Sequence, residues 1–442
     1  MSSPAWLDAG MEHIWLPYTQ MATAQPPLPV VSSAGCRLRL ADGRELIDGI
    51  SSWWTACHGY SHPHIRDAVA RQLDQLPHVM FAGLTHEPAL RLATRLAALL
   101  PGDLERVFFT ESGSVSVEVA LKMALQYWQN KGQPERSRIV YFRHGYHGDT
   151  FATMALCDPD EGMHTLFAHS MPSQIMAELP TTPVLDAALA RVLATHSEHI
   201  AAVIIEPLVQ GAGGMKMHSP AVLRRVAELA REHDCLLICD EIMTGFGRTG
   251  TMFASEAAAQ SDLWVPDIIC LSKALSGGTL PLAATVARRH VFDAFLGDDP
   301  GRALMHGPTF MANPLACAAA NASLDLFERE PRIAQAQAIS SQLHEQLAAC
   351  RTIPGVAEVR VRGAIGAVEL SGPVDLGMMR RRFPELGVWL RPFGNVAYLM
   401  PPLIISPDEL TILTNALTQV LHERAANVSA ALDSAQSPVD SA

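Results

Sequence analysis

Along the middle of the chain, short uninterrupted apolar runs alternate with stretches whose apolar residues recur every three or four positions. The runs "RVFFT", "RIVYF", "AAVIIEP", "CLLICDE", "DIICLS" and "LAATVA" read as strands. The stretches "HIRDAVARQLDQL", "EPALRLATRLAALL" and "PAVLRRVAELAREHD" carry the helical period. So does "GSVSVEVALKMALQYW", whose apolar face falls on Val115, Val119, Met123 and Tyr127. Strands that are apolar throughout and alternate with helices predict an α/β unit, a parallel sheet covered on both faces. The texture differs at the two ends. Upstream, "CRLRLADGRELIDGI" predicts a hairpin turning at Asp42-Gly43. Beyond about 320, two long helices precede short strands around a further helix, an α+β pattern. The expected organisation is an N-terminal arm and hairpin over 1–60, a large domain over 61–320, a smaller α+β domain over 321–425, and a disordered tail over 426–442.

Composition narrows the class. The 442 residues are 48% hydrophobic and 18% charged, enough for large cores. A formal net charge of −12 argues against a nucleic-acid binder. The eight cysteines are scattered with no CxxC pair, which predicts reduced, mostly buried thiols. "MSSPAWLDAGMEHIW" shows no leader pattern and no apolar run approaches membrane-spanning length, so a cytoplasmic protein with no membrane partner is expected.

Of 33 basic residues only four are lysine: Lys122, Lys131, Lys216 and Lys273. Lys273 lies in "ICLSKALSGG", just past an apolar strand and before two glycines, where a solvated cation gains little. Asp240 ends the strand in "CLLICDEI" 33 residues earlier, and ligands of open α/β sheets bind at such strand ends. A lysine in apolar surroundings has a depressed pKa and can form a Schiff base with an aldehyde. An aspartate beside a pyridine nitrogen keeps it protonated, which turns the ring into an electron sink. These are the two groups that pyridoxal phosphate chemistry requires of a protein. Gly113-Ser114 at a helix start offers free N–H groups and a hydroxyl for a phosphate, although an ordinary helix cap fits them as well. Thr309 in "HGPTF" is another hydroxyl beside a glycine.

Other segments carry weaker signals. Tyr146 in "FRHGYHGDT" suits stacking on a flat ring, while His144 and His147 read as solvated loop histidines with no third ligand for a metal. Trp53 and Trp54, as neighbours on a strand, are expected to face opposite sides, one core and one pocket. Arg391 in "WLRPFG" suits a carboxylate. "GFGRTG" mimics a dinucleotide fingerprint, but the segment after it is an indifferent helix.

"CDEIMTGFGRTG" followed by "PDIICLSKALSGG" resembles the signature of the class III (fold-type I) pyridoxal-phosphate-dependent aminotransferases. The resemblance runs from about 12 to 425. It implies a seven-stranded, mostly parallel sheet, with a small α+β domain built from both termini. It further implies that Lys273 forms the Schiff base and Asp240 pairs with the ring nitrogen. Gly113, Ser114, Pro308 and Thr309 hold the phosphate, with the threonine coming from the partner subunit of a homodimer. Tyr146 covers the ring. Tyr18, Trp53, Trp54, Gly307 and Arg391 line the substrate site, with Arg248 and Asp149 as weaker candidates. "HIWLPYTQM", "SSWWTACHGYSHP", "GYHGDTFATMALCDP" and "GVWLRPFGNVAYLMPP" are similar to the biotin-pathway branch of the family. That implies amino transfer from S-adenosyl-L-methionine to 8-amino-7-oxononanoate, with lysine as an alternative donor and an ω-amino acid aminotransferase as the rival. Met243 stands where many class III members carry glutamine, and the biotin-pathway branch also tends to lack that glutamine.

Overall fold

The N-terminal alternating segment forms β1 (Val30–Ala34), β2 (Arg37–Leu40) and β3 (Glu45–Asp48), paired antiparallel in sequence order. Gly43 takes the positive φ of the turn, and the Arg44 N–H donates to the Asp42 carboxylate at 3.0 Å. This is a computed structural model, and it describes residues 4–159, 165–258, 265–372 and 374–436.

Two helices, α1 (Pro63–Gln75) and α2 (Glu87–Leu99), lead into the large domain. The alternation that follows is β4 (Leu104–Thr110), α3 (Gly113–Asn130), β5 (Arg138–Phe142), β6 (Ile175–Ala177), α4 (Pro183–His196), β7 (Ile200–Ile205), α5 (Pro220–Glu232), β8 (Leu236–Asp240), β9 (Ile268–Leu271) and β10 (Ala283–Arg288). These seven strands form one sheet in the order β4-β10-β9-β8-β7-β5-β6. All neighbours are parallel except around β10, which runs against both β4 and β9. Every residue of β7, β8 and β9 is buried, which is why these runs show no alternation. The sheet therefore brings the carboxyl ends of six strands to one edge.

Beyond α6 (Pro314–Arg329) and α7 (Arg332–Gln346), a three-stranded antiparallel sheet forms from β11 (Val356–Arg362), β12 (Ile365–Leu370) and the later β14 (Val396–Leu399). Between them come α8 (Leu376–Glu385) and β13 (Val388–Trp389). β13 pairs parallel with β3, Val388 opposite Ile47 and Trp389 opposite Asp48, so strands from both ends of the chain share a sheet. The last helix, α9 (Pro407–Gln436), corrects the expectation of a disordered tail from 426: the alanine-rich segment has high helix propensity and continues the helix to Gln436. Residues 437–442 of that tail lie outside the described residues. Among the described residues no helix is long and apolar enough to cross a membrane.

A buried ion cluster ties the C-terminal strands to a glycine-rich loop of the large domain. Arg360 donates to the carbonyls of Met215 (3.0 Å) and Gly214 (2.9 Å) and pairs with Glu369, which also holds Lys216 at 2.9 Å. The neighbouring Gly213 lies so close to the segment before Tyr146 that a Cβ there would run into the His144 carbonyl. Gly213→Ala is therefore expected to lower the thermal midpoint by about 5 °C or more, read by circular dichroism, because backbone rather than a flexible side chain must move.

Candidate active site

Each chemical group arrives from a strand end. β8 delivers Asp240, β9 delivers Lys273, β7 delivers Glu206, β5 leads to Tyr146 and His147, and β4 leads to Gly113 at the start of α3. With Trp54, Ser114 and Met243, these residues line a cavity of about 140 Å³. The edge where the parallel strands terminate is where both main-chain dipoles and side chains are free to meet a ligand.

Asp240 is 4% exposed. Its Oδ2 lies 2.8 Å from His147 Nδ1, and its Oδ1 accepts from the Ile242 N–H at 3.1 Å. Facing a carboxylate, the imidazole Nδ1 donates. Lys273 sits at a left-handed φ of 48° at the start of a short 3-10 turn, Lys273–Ser276. Its Nζ lies 4.9 Å from the Trp54 ring centroid. Burial holds the amine below the usual lysine range, against the opposing pull of Asp240, Glu206 and Asp149.

At the N-terminus of α3 the cap is supplied by a residue other than Gly113 and Ser114. Ser112 is the cap, its hydroxyl accepting from the Val115 N–H. The N–H groups of Gly113 and Ser114 are left without a protein acceptor among the described residues, at the positive end of an 18-residue helix. Ser114 Oγ accepts from the Asp149 N–H at 3.1 Å. An anion receptor, a buried carboxylate and a destabilised amine thus converge on one cavity. They match the phosphate, ring nitrogen and aldehyde of pyridoxal phosphate, so the residues present fit that cofactor.

At the mouth, Tyr18 donates to Asp149, and Tyr146 Oη donates to the other Asp149 oxygen at 2.7 Å. Trp53 packs edge-on against Tyr18, and the Arg391 guanidinium lies 4.8 Å from the Trp53 ring centroid. Arg391 is half-buried and has no carboxylate partner among the described residues. Gly307, Pro308 and Thr309 do not join the cavity: they sit on the loop before α6, where Gly307 and Thr309 are exposed.

Several readings need correction. Trp53 and Trp54 are not on a strand. Ser51, Ser52, Trp53 and Trp54 all have positive φ, 50°, 49°, 63° and 77°, forming one left-handed helical turn closed by Trp54 N–H to Ile50 O and Thr55 N–H to Ser51 O, both 2.8 Å. Local chirality opposes this by about 1–2 kcal/mol per residue, so hydrogen bonds to its backbone and side chains must hold it, and no local propensity announces it. Trp54 (6% exposed) lines the cavity, and Trp53 (39%) lies exposed beside Arg391. His147 is not solvated but 3% exposed against Asp240. "GFGRTG" opens no helix and runs through turns, with Gly247 packed beside Leu403 and Ile333. Arg248 is fully buried and donates to the Pro401 carbonyl at 2.5 Å; burial lowers its pKa to about 10. Met243 packs near Gly211. Glu206 was missed, although it ends an apolar strand just as Asp240 does.

The class III aminotransferase family model matches residues 18–421. The chain belongs to that family, a class of pyridoxal-phosphate-dependent enzymes. It is 47% identical to the adenosylmethionine-8-amino-7-oxononanoate aminotransferase of Mycobacterium leprae, over 92% of this chain and 94% of the relative. It is 45% identical to the enzyme of the same name from Synechococcus elongatus, over 93% and 99%. Among solved structures, the namesake from Methanocaldococcus jannaschii superposes with a TM-score of 0.90 at 33% identity, covering 94% of this chain and 98% of that one. A PLP-bound amine transaminase from an uncultivated Pseudomonas species gives 0.84 at 32%, over 93% and 99%.

Glu206 accepts from the N–H groups of Tyr146 (3.1 Å) and Gly211 (2.9 Å), yet burial pushes its pKa up to about 7, with Asp240 adding to the shift and His147 opposing it. Folding therefore favours the protonated form. The stabilisation this brings is complete below the unfolded carboxyl's range and is lost as pH rises through about 7. Glu206→Gln should flatten the fall in unfolding free energy between pH 5 and 8 by on the order of 3 kcal/mol in urea titrations. An unchanged profile would place the titration elsewhere.

Proposed function

We propose that the chain transfers an amino group from S-adenosyl-L-methionine to 8-amino-7-oxononanoate, giving 7,8-diaminononanoate for biotin synthesis. The observation that carries this reading is whole-length identity, up to 47%, to relatives named for that pair of substrates. The mouth of the cavity supports it. An arginine without an ion partner, braced on an indole, suits the carboxylate at the far end of the keto substrate, and the surrounding rings suit its alkyl chain.

Pyridoxal phosphate, when bound, supplies a carbonyl that condenses with amines and a ring that spreads the negative charge left by a departing proton. The protein supplies the rest. Gly113 and Ser114 would hold the phosphate through their N–H groups. Asp240, oriented by His147, would keep the ring nitrogen protonated. The Lys273 amine, favoured in its neutral form by burial, takes the proton from the substrate carbon and returns it, acting as base and then acid. Trp54 keeps water away from that amine. The two substrates use the same cavity in turn, which is ping-pong kinetics.

The active unit in this reading is a homodimer. Gly307, Pro308 and Thr309 reach the phosphate of the partner's site rather than their own, and the exposed Met305 and Phe310 beside them suit a subunit interface. Eight buried free cysteines suit a reducing compartment, so the cytoplasm is the proposed location.

Lys273→Ala is expected to abolish turnover while leaving the far-ultraviolet circular dichroism unchanged; an active variant would remove the lysine from its role. Arg391→Ala should raise KM for 8-amino-7-oxononanoate by roughly 30-fold or more with a smaller change in kcat. The half-reaction with S-adenosyl-L-methionine, followed by absorbance, should change much less. Loss confined to the donor half-reaction would overturn the carboxylate assignment.

A further inference from the structure

The left-handed turn at Ser51–Trp54 puts one indole on the Lys273 amine and the next beneath Arg391, so its geometry sets both the inner and the outer part of the site. Four successive positive φ values on residues with a Cβ do not persist without support. The support is local and identifiable. Asp48, fully buried at the end of β3, accepts from the Ile50 N–H at 2.9 Å and the Ser52 N–H at 2.7 Å, spanning the entry to the turn. Tyr60 donates its hydroxyl to the same Oδ2 that holds Ser52. Ser51 Oγ also donates to the Met400 carbonyl at 2.7 Å, and Trp54 Nε1 to Tyr398 Oη at 3.2 Å, but neither reaches the Ile50 and Ser52 N–H groups that Asp48 holds. Asp48 is not among the residues that line the cavity. Trp389, its partner on β13, lies two residues before Arg391, so the parallel pair sends the Trp53 turn and the arginine out of the sheet at the same edge.

We propose that Asp48, assisted by Tyr60, is a positioning residue: its carboxylate enforces the left-handed turn that places Trp53 under Arg391 and Trp54 against Lys273, and so sets affinity for the carboxylate-bearing substrate. This rests on the reading of the Trp53–Arg391 mouth as the keto-acid subsite. Its chemistry is specific. A carboxylate has two acceptor oxygens and meets both N–H groups. An asparagine has one, and its amide would turn donors toward one of them.

The test is a rescue. Asp48→Asn should raise KM for 8-amino-7-oxononanoate by about 10-fold or more while kcat falls by less than about 3-fold, and should weaken the tryptophan bands in the near-ultraviolet circular dichroism of the resting enzyme. Adding Ser52→Gly to Asp48→Asn should restore both readouts to within about 3-fold of the parent, because glycine takes positive φ without the carboxylate's help. If Asp48→Asn does not fold, Tyr60→Phe, which deletes only one hydroxyl, should show the same split at about 2- to 5-fold. The proposal is overturned if the single variants leave KM and the tryptophan bands unchanged, or if Ser52→Gly restores neither. The two readouts separate it from the reading beneath it. If the tryptophan bands fall and recover while KM does not respond, the turn is held as described and the mouth is not the keto-acid subsite.

Discussion

Keeping the Lys273 amine out of water is the constraint from which the site's construction follows. A lysine at a sheet edge is ordinarily a solvated cation of little chemical use. Here burial withdraws the hydration that stabilises the charge, and the Trp54 face closes one side of the amine. Three carboxylates pull the other way, and two of them, Asp240 and Glu206, are themselves buried. Each is held by N–H or imidazole donors rather than by a cation next to it. The site thus places carboxylates near the lysine without fixing the amine in an ion pair, which would hold it protonated and immobile.

What could be read in the sequence was what local pattern encodes. Apolar runs without alternation give buried parallel strands, and the topology of such a sheet puts Asp240 and Lys273 at one edge. The fingerprint-like "GFGRTG" failed as a nucleotide motif for a local reason as well, since it runs through turns and leads into a short 3-10 turn, Ala254–Ala258, rather than opening an α-helix. The rest was less legible. The turn at Ser51–Trp54 contradicts the intrinsic preference of every residue in it and exists through contacts with Asp48, Met400 and Tyr398, two of them some 350 positions away. The burial of His147 depends on a contact 93 positions off, and a histidine between glycines looks solvated until that partner is known. Glu206 was within reach of the same strand-end logic that found Asp240, but the proline after it reads as a simple strand stop. In the proposed homodimer Gly307, Pro308 and Thr309 would serve a second subunit, and no pattern within one chain marks a residue for a neighbour's site.

The pairing of β13 with β3 has a consequence for how the protein is made. The hairpin containing β3 leaves the ribosome early, but its open edge finds Val388–Trp389 only after some 340 further residues have been synthesised. The large sheet can close long before that, so the catalytic edge is framed while the subsite around Trp53 and Arg391 is still missing its second wall. During this interval β3 presents an unsatisfied strand edge to the crowded cell. Its shortness, four residues ending in a fully buried aspartate, limits what that edge can recruit. In the proposed reading, the subsite that grips the keto substrate is thus the last part of the site that this chain's own residues complete.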